Sequence, residues 1–316
     1  MILGVIKTFR PRQLAKNGLV LVPLFFTINI WWAANDWPGM IAIVGRGLAA
    51  FAVFAVLSGS VYAFNDIMDR EADRAHPRKR NRPIAAGVVP VRVAVAVGAV
   101  GGAGSLAAAF VIAPNLGYTL LGYLALNTAY SYALKHMVVL DVMSVAGGFI
   151  LRAVAGAFAI DHTVVHRNGG AVELDLTISP WLYLVTGLGA LFIALSKRRS
   201  ELNAAGDNSE AQRAILREYS LPMLDQMAGI VATATLVAYT LYTFASGAPG
   251  DANVPDNNSM MLTIPFVVYG LFRYLYLVHI KGSGESPEEI LITDKPLIVN
   301  IGLWLVTAAS VLFFNR

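Results

Sequence analysis

Long apolar segments recur along the whole of this chain and constrain its fold more than any other sequence feature. A bilayer core about 30 Å thick requires roughly 20 mainly apolar residues for each helix that crosses it. Nine such segments are predicted, near residues 18–35, 41–64, 91–113, 116–134, 138–160, 179–196, 221–245, 261–280 and 296–314. The pattern predicts an all-α integral membrane protein in which residues 1–316 form one transmembrane domain.

Composition supports this class of protein. Only 14% of the 316 residues are charged and 56% are apolar, whereas soluble domains contain about 25% charged residues. The first segment follows Lys7, Arg10, Arg12 and Lys16 but has no small-residue cleavage site, so we expect it to stay in the membrane. The absence of cysteine excludes disulfides, thiolate metal sites and a cysteine nucleophile.

The distribution of basic residues predicts the orientation in the membrane. An N-terminus on the inner side places most of the 24 lysines and arginines in inner segments, as the positive-inside rule requires. Nine spans then place the C-terminus outside. The net charge of +4 is explained by these short inner loops, so we expect no nucleic-acid partner.

An acidic cluster follows the second predicted span. If that helix continues, Asp66, Asp69 and Asp73 share one face, with Asn65 one turn before Asp69. Crowded carboxylates repel one another, and oxygen ligands of this kind suit Mg²⁺ held together with substrate phosphates. Three basic residues that can bind the remaining phosphate charge come next: Arg74, Lys79 and Arg82. The alternative is a solvated helix end of mixed charge, and His76 is explained more simply as a polar loop residue than as a ligand.

The stretch from Asn65 to Gly87 resembles the first aspartate-rich motif of the UbiA superfamily of membrane prenyltransferases. It shares Asn-Asp, an aspartate three residues later and another four residues after that. It also shares the residues that follow: His76-Pro77, Lys79, Arg82-Pro83 and Gly87. The resemblance implies a bundle of about nine helices, with a cytoplasm-facing polar cavity, a lateral opening to lipid, and Mg²⁺ bound by the three aspartates.

The second aspartate motif of that superfamily is missing. After the sixth predicted span the chain reads Lys197-Arg198-Arg199-Ser200-Glu201, so three cations and one acid replace an acidic pair. This segment is similar to a branch of the superfamily whose members are phosphoribosyltransferases acting on polyprenyl phosphates. Two further segments share the similarity, namely Arg10-Pro11-Arg12-Gln13 with Lys16-Asn17, and Tyr130-Ser131-Tyr132 with Lys135. Leu14, where that branch has tryptophan, and an enlarged outer loop at 161–178 depart from it.

That branch implies transfer of 5-phosphoribosyl from phosphoribosyl diphosphate to a polyprenyl (decaprenyl) phosphate, with release of diphosphate. The product would serve a lipid-linked arabinose donor and cell-wall arabinan synthesis, at a bacterial inner membrane with the site facing the cytoplasm. One diphosphate needs one acidic Mg²⁺ site, and two phosphate monoesters need cations. Beyond the three aspartates, the expected substrate-binding residues are Lys16, Asn17, Asn65, Arg74, Lys79, Arg82, Tyr132, Lys135, Arg152, Lys197, Arg198 and Glu201.

Several alternatives stay open. Lys135 can simply extend to the interface, and the deeper Arg152 can pair with a polar neighbour instead of substrate. An aromatic prenyltransferase has the same fold, although the basic segment at Lys197 argues against it. A polytopic transporter would place its functional charges near the bilayer midplane, whereas here they gather at one face. The sequence leaves isoprenoid length open, and a homo-oligomer is compatible with it.

Overall fold

The computed structural model describes residues 1–32, 35–75, 79–167, 170–173, 179–205, 214–245, 253–282, 284 and 287–314. In chain order the helices are α1 (Ile2–Thr8), α2 (Leu14–Asn17), α3 (Val22–Phe26), α4 (Ile28–Trp31), α5 (Trp37–Met68), α6 (Arg70–Ala75), α7 (Val91–Ile112), α8 (Pro114–Tyr132), α9 (Leu140–Ile160), α10 (Pro180–Ala205), α11 (Leu221–Phe244), α12 (Ile264–His279), α13 (Pro287–Thr293) and α14 (Lys295–Phe314).

Seven helices in the described part of the chain are long and apolar enough to cross a bilayer. They are α5, α7, α9, α10, α11, α14, and α12 together with the 3-10 turn Ser259–Thr263 before it. These seven match seven of the nine predicted segments. The chain is therefore a helical, multi-pass membrane protein, and the count of nine is not reached.

The other two predicted segments depart from a simple span. Residues 18–35 do not form one helix, because a 3-10 turn at Gly18–Leu21 is followed by the short helices α3 and α4. Thr27 separates α3 from α4, and its hydroxyl donates to the carbonyl of Pro23 at 2.8 Å. Residues 116–134 do form a helix, α8, but polar residues such as Asn115 and Asn127 keep its hydropathy below that of the seven spans.

The enlarged loop predicted at 161–178 contains a short hairpin, which an all-α prediction does not include. Strands β1 (Val164–Arg167) and β2 (Gly170–Glu173) pair antiparallel, with Val164 opposite Glu173. Residues 168–169 and 174–178 of the predicted loop lie outside the described residues.

Close helix packing brings the N-terminal segment against the bundle. A Cβ at Gly156 of α9 would overlap the backbone carbonyl of Val20, so only glycine allows α9 to approach the Gly18–Leu21 turn this closely. A Cβ at Gly59 of α5 would likewise overlap the ring of Phe9. Residues 9–21 are thus held against α5 and α9, next to the acidic cluster.

Two of the buried apolar clusters pack most of the long helices together. One joins α9 to α10, α11, α12 and α14, and it includes Val142, Leu195, Leu224 and Leu297. The other joins α5, α7, α8 and α9 around Phe54. Large apolar side chains that remain exposed on the spans form the surface expected to face lipid.

Candidate functional site

The acidic cluster lies at the junction of α5 and α6. Helix α5 ends at Met68, yet the Asp69 amide donates to the Asn65 carbonyl at 2.9 Å and the Asp73 amide donates to the Asp69 carbonyl at 2.8 Å. The helical hydrogen-bond pattern therefore continues through the junction. As a result Asp66 and Asp73 lie on the same side, and each is only 3% exposed.

Two arginines neutralise these buried carboxylates. Arg82 Nη1 lies 3.0 Å from Asp66 Oδ1 and 2.7 Å from Asp73 Oδ2, so one nitrogen bridges both acids. Arg10 Nη2 binds the same Asp66 oxygen at 2.5 Å. Arg82 was expected to bind phosphate, whereas Arg10 was missing from the predicted site. Its only sequence signal was the Arg10-Pro11-Arg12-Gln13 opening.

The structure does not bring the three aspartates together as one close cluster. Asp69 is exposed beyond the end of α5, and no group of three acidic or histidine residues within the described part is arranged to hold a metal ion. Asp66 and Asp73 are buried and bridged by Arg82 whereas Asp69 is exposed, so a metal site that uses all three carboxylates stays a prediction. These two nevertheless fit Mg²⁺, since both offer oxygen ligands and already hold a positive charge between them.

The neighbouring polar residues are arranged around this pair. Asn65 Oδ1 accepts a hydrogen bond from Ser131 Oγ of α8 at 3.0 Å. Arg74 is bound to the Ala85 carbonyl and to Glu71, at 3.1 Å each. Lys79 is half-buried in the 3-10 turn Lys79–Asn81. His76 lies outside the described residues.

A second charged cluster lies where α9 begins and α10 ends. Arg198 is 4% exposed, and its Nε donates to Asp141 Oδ2 at 2.7 Å while its Nη1 donates to Glu201 Oε2 at 2.5 Å. Asp141 is fully buried and also accepts from the Tyr219 hydroxyl at 2.7 Å. Arg198 is therefore held inside the protein by two acids, instead of facing solvent where a phosphate would arrive.

Tyr219 fixes the turn that precedes α9. Its hydroxyl accepts from the Val139 amide at 2.7 Å, at a residue whose φ of 69° is rare for a β-branched side chain. Burial raises the pKa of Tyr219 to about 12, and its hydrogen bond to Asp141 acts in the same direction. Tyr219 was missed in the sequence, because nothing in its local pattern distinguishes it from other tyrosines near a helix start.

The remaining cations of the basic segment differ in exposure. Lys197 is 39% exposed and its Nζ lies 4.0 Å from Glu201 Oε1, while Arg199 Nε binds Asp225 of α11 at 2.5 Å. Lys197 is thus the most accessible positive charge of the three. Asp225 also binds His279 Nε2 of α12 at 3.1 Å, so Arg199 takes part in linking three helices.

The end of α8 lies between the two clusters. Ser131 binds Asn65 beside Asp66, and the neighbouring Tyr130 interacts electrostatically with Arg198. Tyr132 is exposed, and Lys135 is half-buried in the 3-10 turn Leu134–His136. The acidic pair and the basic segment therefore belong to one continuous polar region.

Arg152 lies deeper, inside the bundle. Its guanidinium donates to Asn17 Oδ1 at 2.9 Å, to the Gly148 carbonyl at 2.7 Å and to the Tyr123 hydroxyl at 3.0 Å. Asn17 in turn donates to Ser58 Oγ at 3.1 Å. Three aromatic rings lie within cation–π distance of Arg152: Phe54, Tyr123 and Phe149. Arg152 and Asn17 thus bind each other, and Lys16 beside them is half-buried.

Comparison with known proteins places this geometry in context. A model of the UbiA prenyltransferase family matches residues 20–288. The chain is 34% identical over its full length to a decaprenyl-phosphate phosphoribosyltransferase of Mycolicibacterium smegmatis, 94% of which is covered. It is 33% identical over its full length to the protein of that name from Mycobacterium tuberculosis, 96% of which is covered.

Solved structures share the fold at lower identity. A UbiA homolog from Archaeoglobus fulgidus, bound to GPP and Mg²⁺, superposes with a TM-score of 0.66 at 18% identity, covering 98% of this chain and 99% of that one. The same homolog bound to Cd²⁺ gives a TM-score of 0.63 at 16% identity, covering 98% and 99%. At these identities the likeness concerns the fold alone.

Proposed function

Because the chain belongs to the UbiA prenyltransferase family, we propose that it transfers 5-phosphoribosyl from phosphoribosyl diphosphate to a polyprenyl phosphate, such as decaprenyl phosphate, with release of diphosphate. The full-length relatives at 33–34% identity carry the name of this activity. The product is a precursor of a lipid-linked arabinose donor for cell-wall arabinan.

One structural observation carries the choice of substrates. At the end of α10, Arg198 neutralises both Asp141 and Glu201, and Lys197 remains accessible. Among the residues that the structure describes, this end of the helix therefore leaves the positive charge of Lys197 accessible, and its acids Asp141 and Glu201 are bound to Arg198 and not free for a second metal ion. Such a surface suits a phosphate monoester, and the proposed substrates contain two of them.

The acceptor needs no activating base. The second pKa of a phosphate monoester is about 6, so the polyprenyl phosphate is largely dianionic at neutral pH. Its oxygen can attack C1 of the ribose directly once the two are aligned, and the C1–diphosphate bond breaks. We assign this alignment to Lys197 on the phosphate monoester and to Arg82 and Lys79 on the diphosphate, since fixed cations both orient reactants and offset developing charge.

Asp66 and Asp73 are the residues that would hold Mg²⁺ in this proposal, with Asp69 beside them at the solvent side. The ion would neutralise the departing diphosphate. The Mg²⁺ bound to the A. fulgidus homolog supports the choice of metal. The oxygen ligands of the acidic pair support it independently.

The remaining residues have supporting roles. Asn65 is held by Ser131, and Arg152 with Asn17 fixes the N-terminal segment. Arg198 joins α10 to α9 through Asp141, and Glu201 holds the Arg198 guanidinium from within α10. Lys16, Arg74, Tyr132 and Lys135 are assigned to substrate contact in this proposal. The basic loops support a cytoplasmic location of the site in a bacterial inner membrane.

The activity can be tested with purified protein in detergent. The protein is incubated with Mg²⁺, phosphoribosyl diphosphate labelled in the ribose, and decaprenyl phosphate, and the organic phase is counted. Label in the organic phase that disappears with a chelator or in Asp66→Ala supports the assignment. Full transfer with a chelator present contradicts the metal role, and no transfer under any condition contradicts the function.

A further inference from the structure

Arg10 occupies an unusual position in the chain. It joins α1 to the 3-10 turn Pro11–Gln13, and its φ of 52° and ψ of 66° lie in the left-handed region. For a residue other than glycine this conformation is strained. The conformation directs the side chain to Asp66, and the guanidinium also lies over the ring of Tyr62 at 4.7 Å.

Arg10 and Arg82 neutralise Asp66 from different parts of the chain. Arg82 bridges Asp66 and Asp73, so the acidic pair keeps one counter-ion whatever Arg10 does. Arg10 comes from the N-terminal segment and contacts only Asp66 of the two. Its positive charge lies on a carboxylate that is almost excluded from water, where repulsion of a second cation is strong.

Helix α1 and the residue that follows it contact the bundle through small and apolar side chains. Gly4 packs against Val88 and Val89, and Phe9 covers Gly59. Val5 of α1 packs against the buried cluster of Ile84, Val89 and Ala94, whereas the apolar side chains of Ile2, Leu3 and Ile6 are exposed. The ion pair between Arg10 and Asp66 adds a charged contact to these apolar ones.

We propose that Arg10 is a removable counter-ion of Asp66, which a divalent cation displaces when it binds the Asp66–Asp73 pair, and that this displacement releases α1 from the bundle. The inference rests on the proposed metal role of these two aspartates. It adds that metal binding is coupled to the position of the N-terminal segment. Arg10 is thus a positioning residue, which sets both the metal affinity and the state of α1.

The sign of the effect on metal affinity distinguishes this role from a structural one. Mn²⁺ serves as the probe, and free Mn²⁺ is measured by electron paramagnetic resonance in the absence of any substrate. Arg10→Gln removes the competing charge, so Mn²⁺ should bind about ten- to hundredfold more tightly, the equivalent of one lost charge-assisted hydrogen bond. Lys7→Gln removes one charge from the same segment without touching Asp66, and it should leave the affinity unchanged.

Unchanged or weaker Mn²⁺ binding in Arg10→Gln would overturn the inference, as would equal tightening in Lys7→Gln. The readout needs no transfer reaction, so it remains informative if the assigned substrates are wrong. If no phosphoribosyl transfer is found but Arg10→Gln tightens Mn²⁺ binding as expected, the proposed function is rejected and the role of Arg10 is kept.

The release of α1 can be followed in a protein with Arg10 intact, which covers the case that Arg10→Gln does not fold. The chain has no cysteine, so Ile6→Cys accepts one nitroxide label on α1. We expect Mg²⁺ to increase the mobility of this label and to leave a label at Val111→Cys, at the far end of α7, unchanged. A label at residue 6 that does not respond to saturating Mg²⁺ would contradict the release of α1.

Discussion

Arg198 and Asp141 form a buried ion pair, with Arg198 Nε 2.7 Å from Asp141 Oδ2 and both side chains almost fully excluded from solvent. The pair joins the end of α10 to the start of α9. It also gives Arg198 and Lys197 different roles. Arg198 is buried in the pair, whereas Lys197, the residue before it, remains accessible.

Lys197→Ala and Arg198→Ala should therefore behave differently. Removing Arg198 leaves Asp141 buried with Tyr219 as its remaining partner, and breaking a buried pair in this way costs about 3–5 kcal/mol of stability. Lys197→Ala should keep the unfolding temperature of the parent and raise the apparent KM of one phosphate-bearing substrate at least several-fold. Thermal unfolding and steady-state kinetics measure both, with the exposed Arg217→Ala as the control. Equal stability of the two variants would contradict this division of roles.

The aspartates of the acidic cluster differ in burial, so we expect their alanine variants to differ in stability. Asp66→Ala, Asp69→Ala and Asp73→Ala should each remove most of the Mg²⁺-dependent turnover. Asp66→Ala and Asp73→Ala should each lower the free energy of unfolding by about 1–3 kcal/mol, because each leaves arginine charge unpaired. Their unfolding temperatures should fall accordingly. Asp69→Ala should unfold like the parent. Glu71→Ala, at an exposed residue paired with Arg74, serves as the control and should be mild in both assays. Near-normal turnover in all three aspartate variants would remove the acidic cluster from the mechanism.

Tyr219 should make stability depend on pH in the alkaline range. Its pKa is raised from 10.0 to about 12 in the folded protein, mainly by burial. The unfolded chain loses the phenol proton first, so the stabilising contribution is complete below pH 10 and is lost as pH rises to about 12. The difference in unfolding temperature between the parent and Tyr219→Phe should therefore shrink across this window. A difference that stays constant from pH 9 to about 12 would show that the hydroxyl does not titrate with folding.

Arg152 offers a test of substrate contact against internal packing. Its guanidinium already binds Asn17, Gly148 and Tyr123, so Arg152→Lys should lower the unfolding temperature and turnover together. Asn17→Ala should reproduce part of that loss. If instead Arg152→Lys raises KM with an unchanged unfolding temperature, Arg152 contacts substrate directly.

Seven of the nine predicted spans could be read from the sequence, because long apolar runs specify helices in lipid with little ambiguity. The structure of the N-terminal segment could not be read in this way. The apolar run 18–35 has no feature that distinguishes one continuous helix from the 3-10 turn and two short helices observed. That break depends on close contact with α9 at Gly156, which is a tertiary effect.

The candidate site was predictable at the level of motifs and less so at the level of contacts. The spacing of Asp66 and Asp73 located the acidic pair, and the basic segment located the end of α10. The partners of these residues come from distant parts of the chain, as Arg10 does for Asp66 and Tyr219 for Asp141. Contacts of this kind depend on how helices pack, and one sequence does not reveal them.

The most direct test of the proposed function places both possible substrate pairs in one reaction. Purified protein with Mg²⁺ receives phosphoribosyl diphosphate and decaprenyl phosphate together with a prenyl diphosphate and 4-hydroxybenzoate, and mass spectrometry identifies the products. We expect decaprenyl phosphate carrying 5-phosphoribose as the product, formed in proportion to enzyme and lost in Asp73→Ala. Prenylated 4-hydroxybenzoate without any lipid-linked phosphoribose would contradict the assignment.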